Sequence, residues 1–278
     1  MGSMFGVVVM AFFLLVTLAM QGPTVTSLFS THALVIVIGG SIAATFLAFP
    51  ADVVLKVPRL IWEAVRPTKL ELPSVVATLV RISDRVRQSG LNGIMGELKH
   101  IEDPFLRRGL QYVAEGFDSK EIEELMEADL VSIRGRHRNN IGVFDTLGGF
   151  APTLGILGTV LSMVAVLGNL SNPEELGPEI AEAMLATLYG VGAANLLFIP
   201  IGSKLKKISE EELRIRWVMI EAILLIQGGA HPRVIRERLK VALPPKTRKM
   251  IQDVKGKRRR GTQAMGTDEM VVPQMDEG

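Results

Sequence analysis

The 278-residue chain has no cysteine and only four histidines, and no two of the histidines stand at metal-ligand spacing. The absence of cysteine excludes disulfides, thiolate metal sites and cysteine nucleophiles. The sequence also has no Ser, His and Asp set and no glycine-rich phosphate loop that would indicate a catalytic centre. We therefore expect neither an enzyme nor a protein with a resident metal or cofactor.

Basic residues are missing from two long stretches of the chain. All 31 lysines and arginines fall within residues 51–140 and 204–278, and none lies in 1–50 or 141–203. The two stretches without basic residues are apolar, and a basic side chain at the centre of a bilayer costs about 3 kcal/mol even on the mildest scale. The charge map therefore predicts that these stretches span a membrane. Because loops rich in lysine and arginine stay inside, both charged blocks and both termini are expected in the cytoplasm.

These patterns predict an all-α integral membrane protein with four transmembrane helices and a helical cytoplasmic domain between spans 2 and 3. The spans are placed at Met4–Met20, Ala33–Pro50, 144–167 and 180–201. The predicted domains are a transmembrane hairpin (1–50), a cytoplasmic helical domain (51–140), a second hairpin (141–203), a cytoplasmic helical extension (204–243) and a disordered basic tail (244–278). Within the first charged block, Asp118 and Glu121 have the spacing of a capping box at a helix start. The basic tail suits anionic lipid headgroups, and no nucleic-acid-reading motif accompanies it.

Small and polar residues form one stripe along each of the last two spans. They are Gly148, Pro152, Gly155, Thr159 and Ser162 in the third span, and Ala183, Thr187, Gly190 and Ala194 in the fourth. Spacings of three and four place each set on one helix face. Such a face serves either close helix packing or the wall of an ion path, where hydroxyls replace part of a cation's hydration shell. The threonine in each stripe, and the proline that interrupts the third span, favour the ion path.

The apolar parts of these two spans contain no ionisable side chain. Asp, Glu, Lys, Arg and His are absent between Thr146 and Ser171 and between Ala183 and Ser203. A cation path is expected to have a binding carboxylate near the middle of the bilayer. If the protein conducts ions, a partner must therefore supply that carboxylate.

Motifs in the last two spans resemble those of a known family. The stretch Phe150–Val160, FAPTLGILGTV, resembles the third-span motif of the MotA/PomA flagellar stator A subunits, which belong to the MotA/TolQ/ExbB superfamily. Leu176 and Gly177, followed by Ile180 and Ala181 and then by ATLYG at 186–190, resemble the fourth-span motif. Pro200 matches the second signature proline. The order of two spans, charged domain, two spans and basic tail agrees as well.

The resemblance implies a stator subunit of the bacterial flagellar motor, located in the cytoplasmic (inner) membrane. In such complexes five A subunits surround two MotB/PomB-like B subunits whose spans carry the ion-binding aspartate. The flow of H⁺ or Na⁺ past this aspartate turns the A ring, and its cytoplasmic domains turn the rotor protein FliG. The resemblance further implies an ion pathway along Pro152, Thr159, Thr187, Tyr189 and Pro200, and exposed charged rotor contacts at Arg87 and Glu97.

The transported ion and the machine that it drives stay open at this point. Thr159 favours sodium, because proton-driven flagellar relatives often have alanine there and a hydroxyl can ligate sodium. Proton-driven ExbB and TolQ relatives also have threonines, however, and Ala186 stands where some sodium-driven members have a second one. The other interpretations are an ExbB- or TolQ-like energiser, which the N-terminal hairpin argues against, a gliding-motility energiser, and a non-conducting membrane scaffold.

The charge map predicts that only Gln21–His32 and Asn169–Pro178 face outward. Single cysteines placed at Ser27 and Asn172 of this cysteine-free chain should react with a membrane-impermeant thiol reagent in intact cells. A single cysteine at Ser119 should not react, because its flanking block is rich in basic residues and is expected inside. Labelling at Ser119 in intact cells would contradict this topology.

Overall fold

A computed structural model describes residues 28–67, 72–168 and 173–242, together with the single positions 9, 12, 16, 20 and 170. Within these residues every regular element is a helix, which agrees with the predicted all-α class. The predicted first span is described only at four single positions, and the tail 244–278 lies outside the described residues.

The helices are numbered in chain order. They are α1 (Thr31–Ala48), α2 (Ala51–Val54), α3 (Val57–Val65), α4 (Leu72–Ser89), α5 (Asn92–Glu97), α6 (Pro104–Glu115), α7 (Ser119–Gly168), α8 (Pro173–Gly192), α9 (Ile199–Gln227) and α10 (Pro232–Ala242). A π-helical segment, Ala193–Phe198, joins α8 to α9, and a 3₁₀ turn, Leu98–His100, follows α5.

Three helical stretches in the described part of the chain are long and apolar enough to cross a membrane: Thr31–Ala48, Ser119–Gly168 and Leu176–Gln227. The last two contain the predicted third and fourth spans, and the first covers the predicted second span as far as Ala48. The last two stretches continue without a break into the charged blocks, so the predicted domain limits at 140 and 203 fall inside continuous helices.

Contacts divide the chain into two compact units. The first contains the described residues up to 67 together with 132–211, and the second contains 72–131 together with 212–242. In the second unit, buried apolar side chains of α4 to α7, α9 and α10 form the core; they include Leu79, Ile82, Ile94, Leu110, Ile122, Met126, Met219, Ile223 and Leu239. The predicted capping box is confirmed, because the Glu121 amide donates to the Asp118 carboxylate at 2.8 Å and the Asp118 amide donates to the Glu121 carboxylate at 3.1 Å.

In the first unit the predicted third and fourth spans, in α7 and α8, touch through glycine. A Cβ atom on Gly155 would lie 2.8 Å from the Ala186 carbonyl oxygen, and a Cβ on Gly190 would overlap the Ala151 carbonyl oxygen. Only the absence of a side chain at both positions permits this backbone contact between α7 and α8. α1 packs beside them, with Ile36 3.3 Å from the place that a Cβ on Gly158 would occupy.

The glycine contact predicts a difference between two neighbouring substitutions in α8. Gly190→Ala should destabilise the protein by about 1–3 kcal/mol, because the added methyl group meets backbone that cannot rotate away. Gly192→Ala is the matched control, since a Cβ there has nothing within 4 Å. Thermal unfolding in detergent should show a lower midpoint for Gly190→Ala only. Equal midpoints for the two variants would mean that the spans do not meet at Gly190.

Candidate functional site

The two threonines predicted for the ion path meet where α7 and α8 touch. The hydroxyl oxygens of Thr159 and Thr187 are 2.6 Å apart, and both side chains are half-buried. The Thr159 oxygen also lies 2.8 Å from the Ala183 carbonyl oxygen and 3.1 Å from the Gly155 carbonyl oxygen. The two small-residue stripes therefore face each other within one chain, and the threonines form a hydroxyl pair between them.

The direction of these hydrogen bonds follows from the single proton that each hydroxyl carries. If Thr159 donates to the Ala183 carbonyl oxygen and Thr187 donates to Thr159, two of the three close contacts of the Thr159 oxygen contain a proton, whereas the reverse direction between the threonines gives only one. The first arrangement is therefore favoured, with Thr187 as the donor. The Thr187 oxygen then keeps both lone pairs and has no proton left to donate. Such an oxygen can ligate a cation or accept a hydrogen bond from a protonated carboxyl group.

Tyr189, another predicted ion-path residue, connects α8 to the residues that precede α1. Its phenol donates to the Leu28 carbonyl oxygen at 2.5 Å and accepts from the Ser30 amide at 3.1 Å. The Ser30 hydroxyl donates to Glu182 at 2.7 Å and accepts from the Ala33 amide, which caps α1. The structure thus shows Tyr189 holding the start of α1 against α8, and its place on an ion path stays a prediction.

The two predicted prolines lie inside helical chain. α7 continues through Pro152, which is half-buried, and Pro200 is the exposed second residue of α9. The π-helical segment Ala193–Phe198 ends just before Pro200. A π turn widens the helix and shifts its hydrogen-bond register, so it can accommodate a residue without an amide proton.

The remaining stripe residues make separate contacts. A Cβ on Gly148 would lie 2.9 Å from Cγ1 of Ile199, so this glycine packs closely against α9. Ala194 is buried in a small cluster with Val37 of α1. Ser162 is half-buried on α7 and does not join the threonine pair.

The two predicted rotor contacts have opposite environments. Arg87 is exposed near the end of α4, whereas the side chain of Glu97 is only 7% exposed. Glu97 pairs with Arg81, and its second oxygen lies 3.1 Å from Nη2 of Arg85. Our expectation of an exposed charge at Glu97 is therefore wrong. Glu97 shares the inner face of α5 with Ile94, three residues earlier, and this face packs on α4.

Several polar residues of the site were missed from the sequence. Arg81 and Arg85 are spaced i, i+4 on α4, which places both within reach of one anion, and this spacing was an available signal. Asn195 is an exposed amide in the fourth span whose Nδ2 donates to the Val191 carbonyl oxygen at 3.0 Å. Among the described residues, no group of three His, Asp or Glu side chains could hold a metal ion.

Comparison with known proteins gives consistent matches. A family model described as the MotA/TolQ/ExbB proton channel family matches residues 97–217. The uncharacterized protein YtxD of Bacillus subtilis is 38% identical over 74% of this chain and 76% of its own length. Motility protein A of the same organism is 32% identical over 88% of this chain and 92% of its own.

A solved structure resembles the fold over the same length. The flagellar MotAB stator complex from Bacillus subtilis contains a chain with a TM-score of 0.80 and 31% identity, covering 89% of this chain and 98% of that one. The chain thus combines long apolar helices with a charged helical unit, which is the architecture of a helical membrane protein. The chain belongs to the MotA/TolQ/ExbB proton channel family.

Proposed function

We propose that this chain is the stator A subunit of a bacterial flagellar motor, which forms a cation path with a B subunit and converts ion flow into torque on the rotor. The length of the similarity carries this proposal. It extends over 92% of Motility protein A and 98% of the chain in the solved MotAB complex. A match confined to the last two spans would have fitted any ion-driven member of the family.

The charges support a B subunit as the partner. The third and fourth spans have no ionisable group in their apolar parts, while Thr187 presents a free acceptor oxygen. A partner span with an aspartate supplies what is missing: when protonated, its carboxyl group donates to Thr187, and when ionised, it shares a cation with the Thr187 oxygen. In this proposal a pentamer of the chain surrounds the B subunits in the cytoplasmic membrane, with both termini inside.

The arginines near Glu97 support a charged contact with the rotor protein FliG. Arg81 and Arg85 are 52% and 57% exposed at their side chains, although both bind Glu97. One carboxylate cannot neutralise two guanidinium groups, and exposed Arg87 lies further along the same helix. In our proposal the exposed arginines of α4, called the arginine patch (Arg81 and Arg85 on one face and Arg87 on another), contact acidic residues of the rotor, and Glu97 holds the first two in place.

Expression with the cognate B subunit in a flagellated strain that is non-motile because its own stator genes are deleted tests the proposal. Restored swimming supports the stator assignment. Ion uptake without swimming would point to an ExbB- or TolQ-like or gliding-motility energiser. Assembly with the B subunit but no ion uptake would leave a non-conducting scaffold.

The hydroxyl pair predicts the effect of Thr187→Val. Valine keeps the shape but removes the acceptor oxygen, and the loss of about 1.4 kcal/mol at the ion step would slow it roughly tenfold. Swimming speed should fall while copurification with the B subunit persists. Thr153→Val is the control, because that exposed hydroxyl bonds back to the Phe150 and Gly149 carbonyl oxygens of its own helix. Normal swimming of the Thr187→Val strain would remove this residue from the ion path.

The arginine patch predicts that charge reversal at Arg87 lowers torque. Arg87→Glu should impair swimming, and a compensating reversal of an acidic rotor residue should partly restore it, because complementary charges set the register of an interface. Glu97→Gln should lower torque through loss of its two arginine partners, without rescue from the rotor side. Lys120→Glu, an exposed charge at the start of α7, is the control. Normal torque from Arg87→Glu, with no effect of any rotor charge, would refute the contact.

For the transported ion we propose sodium rather than the proton. The Thr159 hydroxyl orients the Thr187 oxygen as an acceptor, and a sodium ion needs such oxygens in place of water, whereas a carboxylate alone suffices to carry a proton. Swimming speed should therefore rise with external sodium at fixed pH. A speed that is independent of sodium and abolished by a protonophore would identify H⁺ instead.

A further inference from the structure

Arg216 is a nearly buried cation that neither the threonine pair nor the arginine patch uses. Its side chain is 14% exposed on α9. Nε and Nη2 donate to the same oxygen of Glu212 at 3.0 and 2.6 Å, and Nη1 lies 3.8 Å from the Asp103 carboxylate. The guanidinium carbon stands 5.0 Å from the centroid of the Phe105 ring, a cation–π distance. Three different contacts thus converge on one side chain.

Two of these contacts bind Arg216 to the first turn of α6. Asp103 is the N-cap of that helix and accepts from the Leu106 amide at 2.8 Å. Phe105, the second residue of α6, is 1% exposed. A guanidinium is always charged, so the loss of either partner would leave a nearly buried charge poorly compensated. The start of α6 and the Arg216 segment of α9 are therefore held together.

α6 is also held further along its length. A Cβ on Gly109 would lie 2.5 Å from Cδ1 of Ile223 on α9 and 2.9 Å from Cε of Met126 on α7. Arg108 pairs with Asp129 of α7 at 2.8 Å. α6 thus lies between two helices that continue from the third and fourth spans, and Arg216 provides its polar contact with α9.

The segment before α6 leads directly to the arginine patch. Only the 3₁₀ turn Leu98–His100 and two further residues separate Glu97 from Asp103. Arg107 of α6 holds this segment from the other side by donating from Nε to the Ile101 carbonyl oxygen at 2.9 Å. Any movement of Asp103 therefore displaces the chain that carries Glu97.

We infer that Arg216 is a positioning residue for the rotor contact. It holds Asp103 and Phe105, at the start of α6, against α9, and it thereby sets the position of Glu97 and its two arginine partners. The inference rests on the proposed stator function for its effect on torque. The position requires arginine, because only a planar guanidinium can stack on a ring and donate in the plane to carboxylates at the same time. Lysine keeps the charge and loses this geometry.

The effect of Arg216 on the position of the segment before α6 is measured as a distance between two spin labels, without a motility assay. Cysteines at the exposed positions Lys99 and Glu221, in this otherwise cysteine-free chain, take spin labels in the assembled complex with the B subunit, diluted with unlabelled chain. Electron–electron distance measurements should give a narrow distribution for the parent. The distribution should broaden in Arg216→Met and, to a lesser extent, in Arg216→Lys. Arg134→Lys, an exposed arginine of α7, is the matched control and should leave it unchanged.

The torque per stator unit, read from the steps of a tethered-bead motor, links positioning to function. Torque should fall several-fold in Arg216→Lys while copurification with the B subunit and rotor-free ion uptake stay at the parent level. An unchanged distance distribution in both Arg216 variants would overturn the inference. Unchanged torque in spite of a broadened distribution would overturn the link to the rotor. Failure of the parent to restore swimming would refute the stator assignment instead, and the distance measurement would still decide the positioning.

Discussion

The direct backbone contact between the third and fourth spans is the constraint on which the candidate site depends. Gly155 and Gly190 have no side chain to separate α7 from α8, so the helices approach until the backbone at Ala151 and Gly190 meets. At this separation Thr159 and Thr187 reach hydrogen-bonding distance, 2.6 Å. With larger residues at the glycines, the helices would move apart and the hydroxyls would turn to other partners. The glycines that allow the spans to pack closely therefore also bring the polar oxygens together.

This geometry reconciles two interpretations of the small-residue stripes that are usually treated as alternatives. Glycine and alanine serve close packing, as expected for membrane helices. The threonines lie in the same contact but stay half-exposed, and Thr187 is left as an acceptor in the favoured arrangement in which it donates to Thr159. A chain that offers acceptor oxygens but no carboxylate in the apolar parts of these spans is incomplete as an ion path. This incompleteness is why the proposal requires a B subunit and not a larger assembly of this chain alone.

In the second compact unit, charged side chains likewise bring separate helices together. Glu97 is one carboxylate between two arginines, and Arg216 is one guanidinium among Glu212, Asp103 and the Phe105 ring. In both clusters a buried charge contacts groups from another part of the unit: Arg81 and Arg85 of α4 for Glu97, and Asp103 and Phe105 at the start of α6 for Arg216. The first cluster leaves positive charge at the surface, where an acidic partner can meet it. The second is nearly closed to solvent, which suits a positioning role.

The sequence by itself determined the helical class, the second to fourth apolar stretches, the Asp118–Glu121 capping box and the family. Each of these depends on residues close in sequence, through helical periodicity, side-chain capping and the cost of placing charge in a bilayer. Only the tertiary structure decided that Glu97 is buried, that Tyr189 holds the start of α1 and that the threonines bond to each other. These contacts join residues 16, 161 and 28 positions apart, and local spacing contains no information on which distant side chain will neutralise a charge or accept a proton.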